Sequence, residues 1–103
     1  MQFNQHQARL WSSMLKFIKD FREGKLTYSD LIGKLEGTLY AGEFKDEELI
    51  EKWYELWGKL ELWNAAILNS DVTGYIFNIE DVNQDLTNME LFLKKILIMY
   101  LPQ

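Results

Sequence analysis

The residue types that most often carry catalysis are scarce in this sequence. His6 is the only histidine among 103 residues, and cysteine is absent. Histidine can act as a general acid or base, but a lone histidine in a glutamine-rich leader is usually an ordinary surface residue. Zinc sites need several histidine or cysteine ligands, and the serines match no nucleophile-elbow motif. We therefore expect no enzyme activity and no cofactor.

Carboxylates are the remaining candidates for chemistry. Glu47, Glu51 and Glu55 recur every four residues, which places all three on one side of a helix. Two-metal sites in helical bundles combine such glutamates with Glu-x-x-His motifs on facing helices, and this sequence contains no such motif. A solvated acidic stripe is the favoured interpretation, and a metal site is the alternative that we do not expect.

The charge is unevenly distributed along the chain. Eleven basic and 16 acidic residues give a net charge of −5. Residues 1–42 carry a net +2, residues 43–90 a net −9, and residues 91–103 a net +2. This balance argues against direct nucleic-acid binding, in which lysine and arginine neutralise phosphates. It favours a basic protein as the partner.

Two acidic surfaces follow from this distribution. The first is the row of glutamates described above. The second combines carboxylates with aromatic residues of a turn-rich segment, and its members are Asp71, Tyr75, Phe77, Glu80, Asp81 and Asp85. An aromatic anchor surrounded by carboxylates suits the basic groove of a protein partner. The alternative is that Tyr75 and Phe77 only cover the end of the fold, while the acids keep it soluble.

Helical periodicity predicts the elements that position these residues. A first helix runs from about Gln5 to Glu23 and stops at Gly24. A second follows the capping residue Thr27 and ends at Gly42. A third follows Asp46 and has a seam in heptad steps, formed by Leu49, Trp53, Leu56, Leu60, Trp63 and Ile67.

A last helix begins between Asn78 and Asp81 and reaches about Tyr100. Its apolar residues follow the same steps, at Val82, Leu86, Met89, Leu93, Ile96 and Tyr100. The turn formers of residues 69–78 predict an irregular loop before it. The sequence thus predicts one all-α domain over residues 1–103, an antiparallel bundle of about four helices.

Small residues recur every four positions on the second predicted helix, at Gly33, Gly37 and Ala41. Each glycine weakens a helix by about 1 kcal/mol relative to alanine. We expect packing to compensate for this loss, because small side chains let a neighbouring helix approach closely.

Two stretches resemble small helical immunity proteins of bacteria. The first runs from Phe17 through the Gly-Lys-Leu-Thr turn at 24–27 to Leu31, and continues to Gly37. The second is Trp57-Gly-Lys-Leu-Glu61, followed by Leu-Trp-Asn-Ala-Ala at 62–66. Together they cover about a third of the chain. These motifs describe a turn and a helix seam, and they carry no functional residue over to this sequence.

The resemblance implies a cytoplasmic, antitoxin-like role. Such proteins bind the toxic domain of a contact-dependent growth inhibition or bacteriocin-like effector, often a basic nuclease, and block its active site. No signal peptide or membrane-spanning run is visible, which also favours the cytoplasm over a membrane. The alternative is a helical adaptor or structural protein that forms a homodimer through the tryptophan-rich seam of the third helix.

Overall fold

The computed structural model describes residues 4–68 and 79–100, and these residues form four helices without a strand. The helices are α1 (Gln5–Arg22), α2 (Tyr28–Ala41), α3 (Glu47–Leu68) and α4 (Ile79–Tyr100). The predicted all-α bundle of about four helices is therefore confirmed. The irregular loop predicted near residues 69–78 lies outside the described residues. No helix of the described ranges is long and apolar enough to span a membrane.

Local capping sets the helix ends close to where the sequence predicts them. The Asn4 side chain accepts a hydrogen bond from the Gln7 backbone N–H at 2.7 Å, and the Gln7 side chain accepts one from the Asn4 N–H at 3.2 Å. Gly24 ends α1 with a φ of +79°, a conformation that favours glycine. Thr27 and Asp46 each accept a hydrogen bond from the backbone N–H three residues on, which caps α2 and α3.

Each helix packs against two others. The neighbours are α1 with α2, α2 with α3, α3 with α4, and α4 with α1. Consecutive helices run antiparallel, since the start of each lies beside the last turns of the next. The Trp57 indole N–H donates to the Ile32 carbonyl at 3.1 Å across α2 and α3. Arg22 at the end of α1 pairs with Glu90 on α4 at 2.7 Å.

One apolar core lies between the four helices. Every helix contributes to it, and the connection from α2 to α3 adds Phe44. The other buried apolar residues are Trp11, Met14, Ile18, Leu31, Ile32, Leu35, Leu39, Trp53, Leu60, Val82, Leu86, Met89, Leu93 and Ile96. The apolar period of α4 is confirmed from Val82 to Ile96, since all five of its residues in that range are buried.

The prediction for the small residues of α2 is wrong. Gly33, Gly37 and Ala41 are exposed, and no atom lies within 4 Å of a Cβ added at either glycine. The small residues therefore form part of the outer surface of α2 rather than a site of close helix packing. The reason is that Leu31, Ile32 and Leu35 direct the other side of α2 into the core.

The three tryptophans of α3 that lie on or beside its seam differ in burial. Trp53 is fully buried. Trp57 and Trp63 are half-buried, and each indole N–H has an acceptor on a neighbouring helix. Trp57 and Trp63 each keep part of their side chain exposed, so a dimer through this seam stays a prediction.

Candidate protein-binding surface

The three glutamates predicted on α3 lie on one exposed side of that helix. Glu47, Glu51 and Glu55 are all exposed. Glu51 and Glu55 each lie two residues from the fully buried Trp53. A step of two residues turns a side chain to nearly the opposite side of a helix, so both glutamates point away from the core. We call this row of three glutamates the α3 acidic face. Glu47 also lies in the first turn of α3, where a negative charge is favourable beside the positive end of the helix dipole.

Bases do not neutralise this part of the molecule. Between Glu43 and Glu55 the chain carries six acids and only two bases, Lys45 and Lys52. Lys52 lines a shallow depression on α3 together with Glu48, Glu51, Tyr54 and Glu55. The surface around α3 thus keeps an excess of negative charge, as expected for a surface that attracts a basic partner.

A pocket with aromatic walls opens beside this face, between the end of α2 and the start of α3. We call it the tyrosine pocket. Its volume is about 150 Å³, and its walls are Leu39, Tyr40, Glu43, Phe44, Ile50 and Tyr54. Tyr54 lines both the tyrosine pocket and the depression on α3. The pocket and the α3 acidic face are therefore parts of one continuous surface.

The two tyrosines line the same pocket, and Tyr40 contributes to the raised pKa of Tyr54. Tyr40 is 67% exposed. The Tyr54 ring packs edge-on against Trp53 and Trp57, with ring centroids 5.1 Å and 5.9 Å away. Burial, the contact with Tyr40 and the negative charge of Glu36 raise the pKa of Tyr54 to about 12. The Tyr54 ring is thus held in place by the neighbouring tryptophans.

The floor of the pocket depends on a close approach of Gly42 and Phe44. A Cβ at Gly42 would overlap the Phe44 ring, which is stacked on Trp11 with ring centroids 4.4 Å apart. The Gln7 side chain donates to the Gly42 carbonyl at 3.0 Å. Glu43 follows with a φ of +47°, and this left-handed conformation turns the chain between α2 and α3.

The second predicted acidic surface is described only in part. Asp71, Tyr75 and Phe77 lie outside the described residues. Glu80 and Asp81 are exposed in the first turn of α4.

Asp85 differs from Glu80 and Asp81, because it is half-buried and accepts a hydrogen bond from the Trp63 indole at 2.8 Å. Burial, with a smaller effect of the Asp85 charge, raises the pKa of Tyr28. The Tyr28 hydroxyl donates to the Leu60 carbonyl at 2.7 Å. Asp85 therefore helps to hold α3 against α4, in addition to any role in binding.

Known proteins do not identify this surface, so its geometry and charge are the guide to its chemistry. No protein-family model, curated protein or solved structure matches this chain. Among the described residues, no three histidine or carboxylate side chains are placed to hold a metal ion. Carboxylates and the faces of aromatic rings are groups that can contact a cation or a basic side chain.

Sequence reasoning missed the aromatic part of this surface. It identified Glu51 and Glu55 here but no aromatic residue beside them; the anchor that it predicts, at Tyr75 and Phe77, belongs to the other acidic surface and lies outside the described residues. One signal was available, because Tyr54 lies between two of the glutamates and three residues after Glu51. Its pairing with Tyr40 depends on the packing of α2 against α3, which the sequence pattern does not give.

Proposed function

We propose that this protein is a non-catalytic immunity protein, which binds a basic toxic domain through the α3 acidic face and blocks its active groove. The observation that carries the proposal is the alignment of Glu47, Glu51 and Glu55 on one exposed side of a single helix. A row of carboxylates on a rigid element can occupy the positions that nucleic-acid phosphates take in a basic groove. The resemblance of two sequence stretches to bacterial immunity proteins supports the same function.

The charge excess supports a mechanism of occlusion. A nuclease that binds phosphates presents lysine and arginine side chains in its groove. Negative charge concentrated on one side of this protein would speed the encounter with such a groove and orient the approach. The bound carboxylates would then exclude the substrate without any reaction on this chain.

Growth rescue tests the proposal directly. The C-terminal domain encoded by the adjacent upstream reading frame is expressed from an inducible plasmid, with and without this protein. We expect growth arrest that is relieved by co-expression of the full chain. The absence of toxicity, or toxicity that this protein leaves unchanged, would contradict the proposed function.

Two charge-reversed variants locate the surface that is used. One is Glu51→Lys with Glu55→Lys on the α3 acidic face, and the other is Glu80→Lys with Asp81→Lys at the start of α4. Both change the net charge by the same amount, and all four side chains are exposed. We expect only the first variant to lose protection while it keeps a native circular dichroism spectrum. Protection lost only in the second, or in neither, would overturn the assignment to α3.

A helical adaptor that forms a homodimer remains the second candidate. The observation that favours it is exposed apolar surface on α4, where Leu91 is 59% and Ile98 is 80% exposed. These two residues are seven positions apart, so they lie on one side of the helix. Sedimentation velocity at several concentrations distinguishes the candidates. A concentration-dependent dimer that Leu91→Gln with Ile98→Gln abolishes would support the adaptor, and a monomer at all concentrations would contradict it.

A further inference from the structure

The tyrosine pocket has the shape and the lining of a site for one extended side chain. It is a small recess of about 150 Å³, and two of its walls are the rings of Tyr40 and Tyr54. Leu39 and Ile50 are apolar lining residues that suit a hydrocarbon stem, and Glu43 is an acidic lining residue. A stem between apolar walls with a polar head at a carboxylate is the arrangement that long basic side chains favour.

The electrostatic environment of the pocket is negative. Glu43 lines it, Glu51 and Tyr54 line the adjoining depression, and the Glu36 charge acts on Tyr54. Lys45 and Lys52 are the nearest bases in sequence; neither lines the pocket, and Lys52 lines the adjoining depression among three glutamates. The faces of tyrosine rings also carry negative potential, which adds to that of the carboxylates for a cation placed against them.

We propose that the tyrosine pocket receives the side chain of one arginine of the partner protein. Arginine fits better than lysine, because its planar guanidinium stacks on aromatic rings and pairs with carboxylates through two parallel hydrogen bonds. The inference rests on the proposed function for the basic character of the partner. It goes beyond that function by assigning a specific anchor beside the α3 acidic face.

The pocket is preorganised for this role. The Tyr54 ring is held edge-on against Trp53 and Trp57 before any partner is bound. Phe44 is fixed beneath by its stacking on Trp11. Aromatic side chains that are already immobilised lose little conformational entropy on binding. Tyrosine is accordingly enriched among the residues that dominate protein interfaces.

A peptide titration followed by NMR tests the pocket without the partner. The probes are three capped tripeptides, Gly-Arg-Gly, Gly-Lys-Gly and Gly-citrulline-Gly, added to the full-length protein labelled with ¹⁵N. Citrulline has nearly the shape of arginine but no charge. We expect saturable shifts at the residues that line the pocket with the arginine peptide, weaker shifts with lysine, and none with citrulline. Equal responses to arginine and citrulline, or shifts spread over all acidic residues, would overturn the proposal.

Ring-preserving and ring-removing variants identify the contact. Tyr40→Leu removes the aromatic face and should raise the dissociation constant of the arginine peptide about 5-fold, which is typical for loss of an exposed cation–π contact. Tyr40→Phe keeps the ring and should change the constant by less than about 2-fold. An equal loss in both variants, or in neither, would contradict the stacking that we propose.

The outcomes separate the pocket from the proposed function. Growth rescue without arginine binding in the pocket would retain the immunity function and reject the anchor. Arginine binding without growth rescue would retain the pocket and reject the toxin as partner. If both succeed, Tyr40→Leu should weaken protection while Tyr40→Phe preserves it, and the same protection in both variants would reject the anchor in the complex.

Discussion

Phe44 is the reason why position 42 requires glycine. Gly42 has a φ of −78°, which any residue adopts, but a Cβ there would overlap the Phe44 ring. That ring cannot move freely, since it is stacked on Trp11 in the core. Gly33 and Gly37 have no such neighbour. The same residue type thus has a steric role at one position and only weakens the helix at the other two.

Substitution by alanine should therefore have opposite effects at these positions. We expect Gly42→Ala to destabilise the fold by about 1–3 kcal/mol, because the overpacked ring of Phe44 must shift. Gly33→Ala and Gly37→Ala should each stabilise it by about 0.5–1 kcal/mol, because alanine is the better helix former at exposed positions. Urea denaturation of the three variants measures these differences. Destabilisation by Gly33→Ala would indicate a contact that the structure does not contain.

Tyr54 links the stability of the fold to alkaline pH. Its pKa in the folded protein is about 12, against an ordinary value of 10.0. The folded state therefore holds the hydroxyl proton more tightly than the unfolded state, and this contribution to stability is complete below pH 10. We expect the urea midpoint to fall as the pH rises from 10 to 12. In Tyr54→Phe the fall should be smaller, and an equal fall in both proteins would contradict the raised pKa.

At the scale of elements, the start of α1 and the end of α2 meet beneath the tyrosine pocket. Gln7 completes the capping box at the start of α1, and its side-chain nitrogen also donates to the Gly42 carbonyl at the end of α2. The Gln7 side chain thus accepts a hydrogen bond from the Asn4 N–H and donates one to the Gly42 carbonyl. Neither backbone group has a partner within its own helix. At the other end of α1, Arg22 joins α4 through Glu90 and through the Thr87 hydroxyl at 3.2 Å.

Removal of the Gln7 side chain should loosen this end of the bundle. We expect Gln7→Ala to lower the free energy of unfolding by about 1–2 kcal/mol, because it removes a capping interaction and leaves a partly buried carbonyl without its donor. The matched control is Gln5→Ala, an exposed glutamine in the same helical turn. The control should change stability by less than about 0.5 kcal/mol. Equal losses in the two variants would contradict the double role of Gln7.

At the scale of the whole molecule, acids and bases are separated along the chain and thus among the helices. Residues 43–90, which include α3 and the first half of α4, carry a net charge of −9, whereas residues 1–42 carry +2. Since the first two helices and the last two occupy different parts of the bundle, the protein has an electrostatic polarity. Such polarity orients an approaching basic partner before the surfaces touch.

This polarity predicts how binding to a basic partner depends on salt. For binding to the proposed toxic domain, we expect the association rate constant to fall about 10-fold or more as salt screens the steering charges. The dissociation rate constant should change much less. Glu51→Gln with Glu55→Gln should flatten the salt dependence, whereas Gln84→Ala, an exposed neutral position on α4, should leave it unchanged. Stopped-flow fluorescence measures both constants, and an association rate independent of salt would contradict electrostatic steering.

The helix bounds and most of the core were accessible from the sequence, because both depend on residues close together in the chain. Caps such as Thr27 and Asp46 act within one helical turn, and the period of apolar residues in α4 identifies its buried side without reference to the other helices. The glycines of α2 were misread for the same reason. A small side chain permits close packing, but its position along one helix does not show whether a neighbour is present.

The sequence by itself determined that the chain is helical, where its described helices begin and end, and that the exposed side of α3 carries Glu47, Glu51 and Glu55. These properties follow from local hydrogen bonds and from the period of a single helix. Only the tertiary structure decided that Tyr40 on α2 meets Tyr54 on α3, that Phe44 requires a glycine at position 42, and that Asp85 is bonded to Trp63. Each of these contacts joins residues of different elements or turns, so its geometry depends on how the helices pack together.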